Sequence, residues 1–145
     1  MSLWDEASNE VERAQQHRTR QEETYRAAAA ELAIEQERAL REFVEAMERL
    51  RVPSRRIRIQ RYISGVGYGK SRHKIRGWEL NGDSWVVTPT QEVFAIKDEN
   101  LTIFGTPKPL ALPIPDYMEG HMEYSIPFAG ILKGTLKRAM EEPRP

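Results

Sequence analysis

The sequence predicts an α+β fold: a long N-terminal helix, a small antiparallel β-sheet of four or five strands, and a C-terminal amphipathic helix. Three observations carry this. No Gly or Pro occurs before Pro53, whereas all nine of each fall after residue 52. Apolar residues recur in three- and four-residue steps before that break and alternate just beyond it. The charges are segregated too. Residues 1–50 hold 7 basic and 12 acidic side chains, residues 51–76 hold 9 basic and none acidic, and residues 77–145 hold 6 basic and 10 acidic. A formal net charge of zero therefore hides a dense cationic block inside an acidic chain. The break near 51–54 divides the chain into a helical arm, 1–52, and a sheet domain, 53–145.

Ala, Glu, Gln, Arg and Leu dominate the first fifty residues, all good helix formers. Ser2 suits an N-cap, with Asp5 and Glu6 at the positive end of the helix dipole. The apolar stripe is clear from Tyr25: Tyr25, Ala29, Leu32, Leu40, Phe43, Met47 and Leu50, with Gln36 as its polar interruption. Trp4, Ala7, Val11 and Ala14 form a weaker stripe that fades through Arg18 and Gln21. A strong helix is expected over 22–51, with a frayed, bent or partner-dependent one before it. At about 1.5 Å per residue such a helix outruns any compact domain of this size. Coiled-coil pairing with itself or another helical protein is expected through Tyr25, Leu32, Leu40, Phe43 and Met47.

Arg56 to Ile63 alternates, with Ile57, Ile59 and Ile63 on one face and Arg56, Arg58, Gln60 and Tyr62 on the other. Arg61 breaks the apolar side. A glycine-rich link, Ser64–Gly69, leads to a second run, Lys70–Leu80. Asn81-Gly82 signals a two-residue hairpin, which places Trp78 opposite Trp85. Ser84–Thr88 pairs with Glu92–Ile96, and Asp98-Glu-Asn100 turns into Leu101–Phe104. Four prolines in 105–117 make that segment an extended surface stretch. Phe128, Ile131, Leu132, Thr135, Leu136, Ala139 and Met140 share one face of a final helix over 126–142. Gly130 and Gly134 within it suggest a close approach to a neighbour.

The absence of Cys excludes disulfides, thiolate metal sites and a cysteine nucleophile. Ser64-Gly-Val-Gly-Tyr-Gly-Lys-Ser71 superficially resembles a phosphate loop, but position 64 should then be Gly and a helix should follow. A hairpin turn is the better reading. His17, His73 and His121 have no zinc-type spacing. Asp116, Glu119, His121 and Glu123 cluster in sequence, where a solvated acidic loop is commoner than a site. No catalytic residue, metal or cofactor is expected, and the chain reads as non-enzymatic.

The basic ribbon, 55–76, carries the functional expectation. If Ser64 pairs with Lys70 across a five-residue loop, Arg58 faces Arg76, Gln60 faces Lys74 and Tyr62 faces Arg72. A bulge at Gly77 would keep Trp78 in the core; without it, Trp78 and Trp85 extend the basic face. Like charges opposite each other destabilise a sheet, so an anion should compensate. The acidic helix, Glu31 to Glu48, is one source. DNA or RNA phosphate is the other, taken by Arg56, Arg58, Arg61, Lys70, Arg72, Lys74 and Arg76, with Tyr62, Tyr68 and His73 for stacking. The N-terminus has neither a basic nor an apolar signal region, and no apolar run approaches the roughly 20 residues of a membrane span. A cytoplasmic chain with no membrane contact is the expectation.

Overall fold

The computed structural model describes residues 2–80, 84–118 and 125–142. Helix α1 spans Leu3–Arg49 without a break, capped by the Ser2 hydroxyl, which accepts from the Asp5 amide at 3.2 Å. The fraying or bend expected before residue 22 is absent, because nothing there interrupts good helix formers. At the other end Arg51 adopts φ 57°, and its amide donates to Glu48 O at 3.0 Å. The Val52 amide donates to Met47 O at 3.0 Å. This pair of bonds satisfies the last carbonyls, and Pro53 then prevents continuation.

The next elements are β1 (Arg55–Ile63) and β2 (Gly67–Glu79), an antiparallel hairpin, then β3 (Trp85–Val87), β4 (Val93–Ala95) and β5 (Lys97–Asp98). Their order in the sheet is β4-β3-β2-β1-β5. Only Ile96 separates β4 from β5, yet the two lie at opposite edges. Flat strands at that remove would be about 19 Å apart, so the sheet curls until one stretch of chain closes it. The Ile96 amide donates to Ser84 O at 3.1 Å, and the Gln60 amide donates to Ile96 O at 2.7 Å. The β1–β5 pairing is parallel, so the sheet is mixed rather than purely antiparallel. Leu101–Phe104 is not a strand; Leu101 instead plugs the interior. A short pair, β6 (Tyr117–Met118) and β7 (Ser125–Ile126), precedes α2 (Phe128–Glu141).

Two cores result. Inside the curl lie Ile57, Ile59, Ile75, Val86, Phe94, Ile96 and Leu101. Outside it, Trp78, Leu80, Trp85, Val87 and Val93 meet Leu40, Phe43, Val44 and Met47 of α1 and Phe128, Ile131 and Leu132 of α2. Leu40, Phe43 and Met47 are thus occupied within the chain, which corrects their expected role in pairing with another helix. The packing boundary consequently falls inside α1 rather than at residue 52: Gln36 to Met47 belongs to the globular core. An amphipathic stripe states that something covers it, not what does.

The tryptophans do not pair. Trp78 lies opposite Val87, and the Leu80 amide donates to Trp85 O at 3.0 Å, a register two residues from the one a two-residue turn would impose. Asn81-Gly82 itself is outside the described residues. Trp78 packs edge-on to Phe43 at 6.2 Å and Trp85 to Phe128 at 5.3 Å. The proline-rich stretch is no mere surface segment. Ile114 is buried, and Gln36 of α1 grips its backbone, donating to Ile114 O at 2.8 Å and accepting from Ile114 N at 2.6 Å. The polar interruption of the stripe is a side-chain amide acting as a missing strand neighbour.

In α2, Phe128, Ile131, Leu132, Thr135 and Ala139 are buried, while Met140 is exposed. Close approach does not explain Gly130, since a Cβ there would meet nothing nearer than 3.8 Å. Gly130→Ala is therefore expected to stabilise the protein by about 1 kcal/mol through helix propensity. Denaturant melts would show a raised midpoint at unchanged slope; a lowered midpoint would reveal a constraint on this glycine.

Candidate anion-binding face

The hairpin turns on Ser64–Val66, with the Val66 amide donating to Ile63 O at 3.0 Å. Gly65 at φ 81° supplies the positive φ that the third position of such a turn demands. This three-residue loop replaces the expected five-residue one, and the Ser64–Ser71 stretch is a hairpin as its residues suggested. Arg56 now faces Arg76, Arg58 faces Lys74, Gln60 faces Lys70 and Tyr62 faces Tyr68. These differ from the expected partners by even shifts, so every side chain keeps its face.

The irregularity lies between Arg58 and Gln60, where β2 carries extra residues, and not at Gly77. Ser71 closes this bulge: its hydroxyl donates to Ile59 O at 2.7 Å and accepts from the His73 amide at 3.1 Å. The Arg58 guanidinium donates to Ser71 O at 2.7 Å, so Arg58 also pins the hairpin. Beyond Arg76 the strand continues regularly through Gly77. Trp78 therefore extends the basic face, and it is buried only because α1 and α2 cover that end. Its indole donates to Val52 O at 3.0 Å, just past the end of α1.

Arg56, Arg58, Lys70, Arg72, Lys74 and Arg76 are all exposed, at alternate positions along the uncovered part of this face. Among the described residues no carboxylate forms an ion pair with any of them. The acidic helix does not neutralise them, for α1 turns Gln36, Leu40, Phe43, Val44 and Met47 inward. Glu31, Glu35, Glu37, Glu42, Glu45 and Glu48 all point to solvent. Arg61 falls out of phase, opposite Gly69 on one side and Asp98 on the other, and leaves the set. His73 is half-buried, with Nε2 enclosed, and is not placed for stacking.

The tip carries the aromatics. Tyr62 and Tyr68 meet edge-on at 5.5 Å, and Lys97 lies 5.6 Å from the centre of the Tyr68 ring. The Tyr68 hydroxyl donates to Glu99 at 3.0 Å. Desolvation, and then this bond to the carboxylate, raises its pKa above the ordinary 10.0, so it remains a neutral donor. Tyr62, half exposed, presents the freer ring.

Elsewhere, a cleft of about 480 Å³ between β1, β2 and α2 includes Arg55, Trp78, Thr135 and Arg138 in its lining. Among the described residues no three His, Asp or Glu side chains gather as a metal site requires. Glu119, His121 and Glu123 lie outside the described residues. Among the described residues no helix is long and apolar enough to cross a membrane. No protein-family model matches this chain, and no curated protein or solved structure matches it significantly.

Proposed function

We propose that this is a non-enzymatic nucleic-acid-binding protein whose β1–β2 face docks on the phosphate backbone, with α1 serving as an association arm. The observation that carries the reading is the exposed row of Arg56, Arg58, Lys70, Arg72, Lys74 and Arg76 beside Tyr62, with no carboxylate ion-paired to it among the described residues. Side chains two apart on a strand are separated by about 6.7 Å, close to the rise of two nucleotides at about 3.4 Å each. Arginine predominates, and its planar fork binds two phosphate oxygens at once. Cross-strand Arg56–Arg76 and Arg58–Lys74 neighbours repel each other until an anion arrives, so binding also relieves strain within the hairpin.

Fluorescence anisotropy of labelled duplex DNA and single-stranded RNA, titrated at several salt concentrations, tests this. Binding is expected to weaken steeply with salt. The Arg56→Ala, Arg72→Ala, Arg76→Ala triple variant spares the pinning residue Arg58. On duplex DNA it should flatten the log K against log salt slope by about 2–3, and weaken all sequences alike. No binding at low salt, or an unchanged slope in a folded triple variant, would sink the assignment.

A further inference from the structure

We infer that the free part of α1 pairs with a second copy of this chain as an antiparallel coiled coil centred near Gln16. The inference deepens the association half of the proposed function. Residues 3–28 of α1 lie beyond the globular core and are exposed throughout, apart from any partner. They are not uniformly polar. Trp4, Val11 and Tyr25 are 80%, 55% and 81% exposed, and with Arg18, and Leu32 just beyond at 39%, they recur every seven residues. Ala7, Ala14, Gln21 and Ala28 follow Trp4, Val11, Arg18 and Tyr25 by three. This is the a/d heptad spacing over four heptads, with Arg18 and Gln21 as the polar members of its third.

Orientation and register follow from side-chain size and charge. A parallel, in-register pair would stack Arg18 on Arg18 and Trp4 on Trp4. Reversing one helix about Gln16 gives a different set of layers. Trp4 then meets Ala28 of the second copy, Tyr25 meets Ala7, Val11 meets Gln21 and Arg18 meets Ala14. Every layer joins a larger side chain to a smaller or flexible one, as close packing requires. At the flanking positions Glu10 comes near Thr24 and Glu22 near Ser8, so no carboxylate faces another across the seam. The same seam meets no comparable complement in the exposed residues of α2, whose apolar face is already buried.

The consequence is geometric. From Gln16 to Leu40, the first buried apolar residue of α1, the helix rises about 36 Å, so the two sheet domains stand about 70 Å apart. Two basic faces at that separation would contact sites about 20 base pairs apart on one duplex.

Sedimentation velocity of the full chain without nucleic acid is the first measurement, over a dilution series, which keeps its outcome separate from the binding assay. A dimer is expected, with complete loss in Val11→Asp plus Tyr25→Asp, whose exposed positions leave the core intact. The chain contains no cysteine, so disulfide trapping then reads orientation. Val11→Cys chains mixed with Gln21→Cys chains should cross-link under oxidation, and neither should cross-link alone. A monomer at every concentration overturns self-pairing and assigns the arm to another protein. A Val11→Cys homodimer overturns the antiparallel register.

Discussion

Gln36→Leu is expected to lower the unfolding free energy by about 3–4 kcal/mol, although leucine nearly matches the volume of glutamine. The side chain is 1% exposed and holds both backbone groups of Ile114, itself 0% exposed. Leucine leaves that N–H and C=O buried without partners, and each costs about 1–3 kcal/mol. Denaturant unfolding followed by the fluorescence of Trp78 and Trp85 reads the loss. Gln36→Glu gives an independent check with a defined sign. Its carboxylate can accept from Ile114 N but needs a proton to donate to Ile114 O. Burial and that donation raise its folded pKa above the unfolded value of about 4.3. Its stability should therefore be fullest below that value and lost as pH rises through the folded pKa. A Gln36→Leu variant within 1 kcal/mol of wild type would show that the proline-rich strap is held by its apolar contacts alone.

Gly77→Ala should destabilise the protein by about 3 kcal/mol, the upper part of the range for overpacking. A Cβ at Gly77 would collide with Val87 O and sit 2.9 Å from both Val87 C and Val86 Cγ2. Backbone atoms cannot rotate away, so β3 must shift where it first pairs with β2. Gly69→Ala supplies the contrast, because its Cβ would meet the flexible end of Ile63 at 2.8 Å. It should cost well under half as much. Equal effects would mean that lost glycine flexibility, rather than the β2–β3 crossing, sets the penalty. Gly77 stands where β2 passes from the open basic face to the covered tryptophan. A folded Gly77→Ala variant that keeps phosphate affinity would show that the two halves of β2 are mechanically independent.

Much of this architecture was legible because its causes are local. Fifty residues without Gly or Pro made α1 readable, down to its Ser2 cap. Period-two alternation assigned Arg56, Arg58, Lys70, Arg72, Lys74 and Arg76 to one exposed face, and an even register shift could not disturb it. The same alternation already set Arg61 apart as an interruption on the apolar side. Lys97–Asp98 was not legible as a strand, since two residues carry no period and their parallel partner lies far away in sequence. The Gln36 break in the stripe was visible, but its meaning depended on Ile114, 78 residues away.

Composition, periodicity and charge order thus determine which segments are helix or strand and which side of each is polar, because these depend on neighbours a few residues apart. Contacts between remote segments decide the rest. The turn at Gly65 sets which cations are opposite each other, and the curl of the sheet lets β5 close onto β1. The helices cover one end of a continuous face and bury Trp78, while the other end keeps its charges in water. Leu40, Phe43 and Met47 of α1 found the sheet of their own chain, whereas Trp4, Val11 and Tyr25 on the same helix lie beyond its reach. Both sets obey one hydrophobic rule. The difference is distance: a helix that runs on past its domain keeps its apolar surface beyond the reach of that domain's core.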